Sequence, residues 1–374
     1  MNSPRNLASV APKAGYAKSA LPMINPVSWD GLPLPERHWL IENWILASGT
    51  TYLTGKGSVG KSLLAQQAMT ALAVGRSLLG QSVKRVRAAY ITAEDDQDEL
   101  QRRQSAINDA LGIGMADLNG WLHLASLKGR DSALVRFDPQ MKVLPLYNEI
   151  TGMIEGTGIE CMALDNVAHL LAGSENDRNV VSSFLGVCDR LAALMDGAVL
   201  LIGHPNKAGA EFSGSTAWEN VVRSRLFLDR ATERDGYADP DSRTLGRSKF
   251  NYGPRGDTLA FRWHKGAFIC ESDLPSDYRA EMAHAAAIVQ ENSRFLECLD
   301  ASTAQGRNVS HAVGSNHAPK VFASMPEARG MPKEAFDKAM NRLLSLGEII
   351  ANQPVQTYPN RTPKYGLARN GASP

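Results

Sequence analysis

Gly55, Gly60, Lys61 and Ser62 stand in the run LTGKGSVGKSLL, residues 53–64, at the spacing G-x-x-x-x-G-K-[ST]. Glycines at those two places let successive backbone N–H groups turn toward one point. That set suits phosphate. Gly55, Lys56, Gly57, Ser58, Val59 and Gly60 form the cradle, Lys61 reaches the β- and γ-phosphates, and the Ser62 hydroxyl ligates Mg²⁺. With Leu63 they open a helix whose N-terminal dipole adds to the attraction. ATP and Mg²⁺ are the expected ligands.

Asp165, Glu94 and His204 each close an apolar or strand-like run: CMALD, YITAEDD and AVLLIGH. An acid at the carboxyl end of a buried strand, such as Asp165, stands where Mg²⁺ needs a second anchor. A carboxylate at Glu94 is placed to orient and deprotonate an attacking water. Asp95 and Asp96 compete for that role, or cap the helix that follows. A histidine at a strand tip, His204, is placed to hydrogen-bond the γ-phosphate and register its loss. Further along, GSTAWENVVRSR carries two arginines and GRSKFNYG carries Arg247 and Lys249. Spacing alone does not choose among these cations for a role at a neighbouring subunit's phosphate.

The elements that must position these residues alternate. Residues 50–55 read as a strand, 61–75 as a helix, 86–96 as a strand ending in acids and 97–111 as an amphipathic helix. Residues 121–127, 159–167 and 197–204 read as strands, and 142–155 and 178–195 as helices. The continuous apolar runs CMAL and AVLLI suit parallel strands buried on both faces. Strand and helix in alternation predict an α/β fold with a mostly parallel sheet, whose chemistry collects at the carboxyl edge. Residues 243–270 read as hairpins that extend this sheet antiparallel.

Composition narrows the class. Hydrophobic residues make up 43% and charged residues 21%, which is globular. Lys+Arg number 40 against 39 Asp+Glu, so any basic surface is local. Cys161, Cys188, Cys270 and Cys298 form no CxxC pair, which argues against a zinc or disulfide framework and fits a cytoplasmic setting. No run approaches a membrane span, so no membrane partner is expected.

Residues 1–25 read as a flexible N-terminal arm, 26–272 as the ATPase core and 273–283 as a linker. Within the core, 26–48 reads as an irregular lead-in packed on it. Residues 284–374 outline helix, helix and hairpin, a small winged-helix-like α+β domain, with ten Lys/Arg against seven Asp/Glu. Its second helix, with Lys333, Lys338 and Arg342, is the candidate recognition helix, and Asn341 lies beside them. Arg361 and Lys364 sit on the wing. Phosphate contacts there would position DNA.

The motifs GKGSVGKS, AED, LD, GHPNK, GSTAWENVVR and SKFNYG occur in the order of one family. Over about residues 27–270 the chain resembles the RepA-type hexameric replicative helicases of broad-host-range IncQ plasmids, within the RecA-like (DnaB-like) motor ATPases. The resemblance implies a RecA-like P-loop core that hydrolyses ATP as a homo-hexamer on single-stranded DNA, with a replication initiator or primase as partner. It implies Lys61 and Ser62 on ATP·Mg, Glu94 as base, Asp165 as the Walker B acid and His204 as sensor. It places Arg223 as the finger acting in trans and Lys249 as a second cation at the subunit interface. Loops 171–178 and 205–213 would face a channel, with Lys207 on DNA phosphate. Residues 284–374 lie beyond the resemblance. Competing readings are a nucleotide-switched DNA-binding regulator or helicase loader, and a recombination mediator.

Overall fold

The computed structural model describes residues 24–204, Trp218, Val222, 224–231, 239–250, 258–358 and 360–371, with 248–250 described by backbone alone. The chain divides into two compact units, residues 1–37 and 38–374. In the first, a single 3-10 turn spans Pro26–Trp29, with Asn25 accepting from Val27 N. Val27, Trp29, Leu32 and Leu34 are 59–93% exposed there. Leu40, Ile41, Trp44 and Ile45, in the second unit, are buried. The arm assigned to residues 1–25 lies outside the described residues up to position 23.

The second unit is built on a nine-stranded sheet. Its strands are β1 (Gly49–Gly55), β2 (Ala88–Thr92), β3 (Leu122–Ser126), β4 (Cys161–Asp165), β5 (Ala198–Ile202), β6 (Ser224–Arg230), β7 (Ser242–Phe250), β8 (Thr258–His264) and β9 (Ala267–Ile269). They lie in the order β9-β8-β7-β6-β1-β5-β4-β2-β3. From β6 to β3 all neighbours are parallel, and β7, β8 and β9 add on antiparallel. This is the expected α/β arrangement, a mostly parallel sheet with an antiparallel extension.

Period-two alternation along the strands makes two cores. Leu53, Tyr90, Ala163 and Leu200 face helices α1 (Lys61–Val74) and α2 (Gln97–Leu111). Tyr52, Ile91, Leu164 and Leu201 face α3 (Pro145–Thr157) and α4 (Arg178–Leu194). Helix α1 is buried almost all round, so it must satisfy polar side chains internally. Gln67 does so by pairing with both backbone groups of Phe268 on β9, at 2.7 and 2.9 Å. Gln66 and Thr70 join Gln104 of α2.

The C-terminal part has its own apolar core. Helix α5 (Ser276–Ala304), helix α6 (Lys333–Ser345) and the antiparallel hairpin β10 (Ile349–Thr357) and β11 (Pro363–Arg369) enclose Phe295, Phe322 and Phe336. The rings meet edge-on or tilted, with centroids 4.9–6.3 Å apart. This is the winged-helix-like outline. The stretch read as a connector, 273–283, is mostly the first turns of α5, because Pro275 at its N-cap precedes an Ala-rich sequence of high helix propensity.

Candidate active site

Sheet register assembles the site. Asp165, the last residue of β4, pairs with Thr92 on β2 and with Ile202 on β5, and Ile202 pairs with Leu53 on β1. Strands β2, β4 and β5 therefore end level, and β1 runs on to Gly55 beside them. The residues just past those ends, Glu94, Asn166 and His204, emerge side by side beyond the carboxyl edge, next to the glycine loop that leaves β1.

The loop's geometry fits phosphate. Gly60 caps α1 in the left-handed region, at φ 102°, and a Cβ there would press into the Phe268 ring. Only glycine turns the chain so tightly in that space. Gly203 has the same limit from the other side: a Cβ would collide with the Tyr52 hydroxyl, so glycine alone lets the chain leave β5 toward His204. Lys61 is 6% exposed and folds back on the loop, donating to Gly55 O at 2.8 Å and Lys56 O at 3.0 Å. Burial lowers its pKa, while Asp165 and Glu94 pull it up. Lys56 pairs with Asp229 on β6 at 3.2 Å.

Asp165 is 1% exposed. The Tyr90 hydroxyl donates to its Oδ2 at 2.7 Å. Burial pushes its pKa up, against the pull of hydroxyls from Ser62 and Tyr90. Its Oδ1 is buried and has no hydrogen bond of full geometry among the described residues; the Ser62 hydroxyl is close enough to act on the carboxyl's pKa but does not satisfy that atom. A buried carboxylate oxygen short of a partner, beside a hydroxyl and a phosphate cradle, fits a hard, oxygen-seeking cation such as Mg²⁺.

The three acids of AEDD separate by their partners. Asp96 caps α2, accepting from Glu99 N at 3.0 Å, and pairs with Lys128. Asp95 pairs with Arg103 at 2.9 Å. Glu94 alone of the three turns to the site. Its Oε1 accepts from Asn166 Nδ2 at 2.6 Å, and His169 Nε2 lies 3.6 Å away. His204 places Nδ1 3.3 Å from Lys61 Nζ and Nε2 3.3 Å from Asn166 Nδ2. Its pKa is lowered by burial first and by Lys61 second, with Glu94 and Asp165 opposing.

Lys61, Ser62, Glu94, Asp165 and His204 thus come together. Arg223 and Lys207 lie outside the described residues, as does loop 205–213. Lys249 is placed by backbone only, opposite Arg225 in the β6–β7 ladder. In loop 171–178, Leu171 is buried and pairs with Val135, and Asp177 caps α4. On α6, Arg342 is not presented outward as a recognition residue: it donates to Glu291 at 2.5 Å and Asn292 at 3.0 Å on α5. Lys333 is 3.8 Å from Asp337, and Lys338 is exposed.

Sequence reasoning missed Asn166, Tyr90, His169 and Arg243. Arg243 of β7 donates from Nε to Val59 O at 2.9 Å, bracing the glycine loop. It also missed Trp218, which is stacked on Tyr52 at 4.8 Å and donates to Glu175 O. Only Asn166, adjacent to Asp165 in LDN, carried a local signal.

A KaiC-like protein from the hyperthermophilic archaeon Pyrococcus horikoshii OT3, known from a crystal structure, is similar with a TM-score of 0.44 and 15% identity, over 62% of this chain and 92% of that one. No curated protein matches the chain. The family described as AAA domain matches residues 18–210, which span the glycine loop, Glu94, Asp165 and His204. The chain belongs to that AAA domain family, and its core is a nucleotide-binding P-loop ATPase.

Proposed function

We propose that the protein is a ring-forming, DNA-dependent ATPase, a replicative helicase of a plasmid, phage or integrated element that couples hydrolysis to movement along single-stranded DNA. The convergence of Lys61, Asp165, Glu94 and His204 at one sheet edge carries the hydrolytic half. The motif order from GKGSVGKS through SKFNYG supports the DNA half, as does the position of His204: it touches Lys61 and directly precedes the segment 205–213.

Glu94 takes a proton from water, whose oxygen bonds the γ-phosphorus. The bond from phosphorus to the β–γ bridging oxygen breaks, and ADP leaves with that electron pair. Lys61 and the loop N–H groups hold the phosphates as negative charge shifts toward ADP. Mg²⁺, held through Ser62 and Asp165, supplies further charge neutralisation when bound. Arg223 of a neighbouring subunit completes the site in a hexamer, with Lys249 near it. Lys207 contacts the DNA backbone. The winged-helix-like domain, residues 284–374, docks DNA or a replication initiator or primase.

The test is steady-state ATP hydrolysis with and without single-stranded DNA, with Lys61→Ala as blank. Strong stimulation by DNA is expected. Hydrolysis indifferent to DNA would replace the motor with a nucleotide-switched loader or regulator. Mixing Arg223→Ala with Lys61→Ala protein is expected to restore part of the activity, and no recovery would remove the finger in trans.

A further inference from the structure

Asn166 is 1% exposed, directly behind Asp165, and its amide nitrogen has two protons to give. One contact is Glu94 Oε1 at 2.6 Å and the other is His204 Nε2 at 3.3 Å. Its carbonyl oxygen, Oδ1, is buried without a partner among the described residues. An asparagine kept only for the fold satisfies its carbonyl. This one satisfies none of it and spends both donors on two site residues.

The carboxylate fixes which way the amide points. Turned over, Asn166 would set Oδ1 against Glu94 Oε1, acceptor against acceptor. Nδ2 therefore faces both Glu94 and His204. His204 then meets a donor at each ring nitrogen: Lys61 at Nδ1 and Asn166 at Nε2. A neutral imidazole has one N–H and one lone pair, so it accepts from only one of the two. A protonated ring accepts from neither, in keeping with the depressed pKa of His204. As described, the chain of contacts is frustrated at the histidine.

A γ-phosphate removes the conflict. Lys61 exchanges its loop carbonyls and His204 for phosphate oxygens. Nδ1–H is then free to donate to the γ-phosphate, and Nε2 accepts from Asn166. Every donor in the chain runs in a consistent sense: His204 to phosphate, Asn166 to His204, Asn166 to Glu94.

We propose that Asn166 is a positioning residue that links γ-phosphate recognition at His204 to the orientation of the base Glu94: it already holds the carboxylate, and ATP locks that hold by giving His204 a lone pair to accept the second amide proton. This rests on the hydrolytic reading above. His169, 3.6 Å from Glu94 on the other side, is the competing holder of that carboxylate when the link is broken.

The test is a double-mutant cycle on ATP turnover with Asn166→Ala and His204→Ala, beside wild type. Asn166→Ala is expected to lower kcat about a hundredfold, the cost of a misplaced catalytic group. ADP affinity, read with a fluorescent analogue, stays within twofold (roughly the noise of independent sites), which also reports folding. The double variant is expected to fall no further than the worse single variant. Losses that multiply across the two sites overturn the link. Wild-type protein gives a second reading that needs no substitution: ¹⁵N NMR of His204 with a non-hydrolysable ATP analogue. Nδ1–H is expected, and Nε2–H overturns the proposal. A wild type that hydrolyses no ATP sinks the hydrolase reading and this one together; an active wild type with multiplying losses sinks only this one.

Discussion

The carboxyl edge of the sheet and helix α6 both gather charged side chains, and they treat them in opposite ways. At the edge, Asp165 is almost fully buried, yet its Oδ1, like Oδ1 of the neighbouring Asn166, lacks a partner among the described residues. On α6, Arg342 lies on Glu291 and Asn292, and Lys333 lies near Asp337. A fold that leaves buried polar atoms unmet gives up stability there, and a ligand repays it. A charge already met by its own chain says little about function. The difference separates a site from a surface better than residue type does.

The largest test of that contrast is Glu94→Gln. It keeps the shape and the Asn166 contact but not the basicity, so kcat should drop by about 10²–10⁴. Nucleotide affinity should hold, checked by hydrolysis assay and fluorescent-nucleotide titration. Unchanged turnover would move the base to Asp95 or Asp96 despite their pairing.

Asp165→Asn should act in two directions. Mg²⁺ dependence of hydrolysis should weaken by about 10–100-fold, the usual cost of a ligand-orienting group. The melting temperature without nucleotide should rise, since an uncharged amide replaces a carboxylate whose pKa burial drives up. A fall in melting temperature would mean that the carboxylate is satisfied by the fold after all, and the contrast would fail.

The pH profile sharpens it further. His204 has a depressed pKa, so its folded form stays neutral through the ordinary histidine range and charges only below it. Its contribution to kcat should persist as pH falls past the usual histidine value and then decline. In His204→Gln that acid limb should vanish, as read from kcat against pH. A limb that stays in place belongs to another group.

The smallest effects are expected on α6. Arg342→Ala should cost about 1 kcal/mol, as for a part-exposed ion pair, and leave DNA affinity unchanged, read by chemical denaturation and by DNA titration. Lys338→Ala should do the reverse: no loss of stability, and a fall of about 1 in the salt slope of DNA binding. If Arg342→Ala instead changes the salt slope, the pairing with α5 gives way to DNA and the two regions are less different than they look.

The order of elements was legible because periodicity is local. Helices at 61–75, 97–111 and 178–195 were read within a residue or so of Lys61–Val74, Gln97–Leu111 and Arg178–Leu194, since glycine or aspartate caps mark both ends of the first two and the start of the third. The glycine loop was legible for the same reason. The choice of Glu94 over Asp95 and Asp96 was not settled by spacing. Adjacent carboxylates are equivalent in sequence and differ only in whom they meet: Arg103 one helical turn or two away, a backbone N–H at the cap, or Asn166 from another strand.

The sequence by itself determined that a phosphate-binding loop enters a helix, that apolar strands end in Asp165 and His204, and that a second, separately patterned segment follows. Those are properties of short windows, set by dihedral preference and periodicity. Tertiary structure alone decided that Thr92, Asp165 and Ile202 end level, that Asn166 joins Glu94 to His204, that Arg243 braces Val59 and that Arg342 is spent on α5. Such pairings span from tens to nearly two hundred residues of chain, and parallel register, set by packing on both faces of the sheet, is what brings them within hydrogen-bond reach.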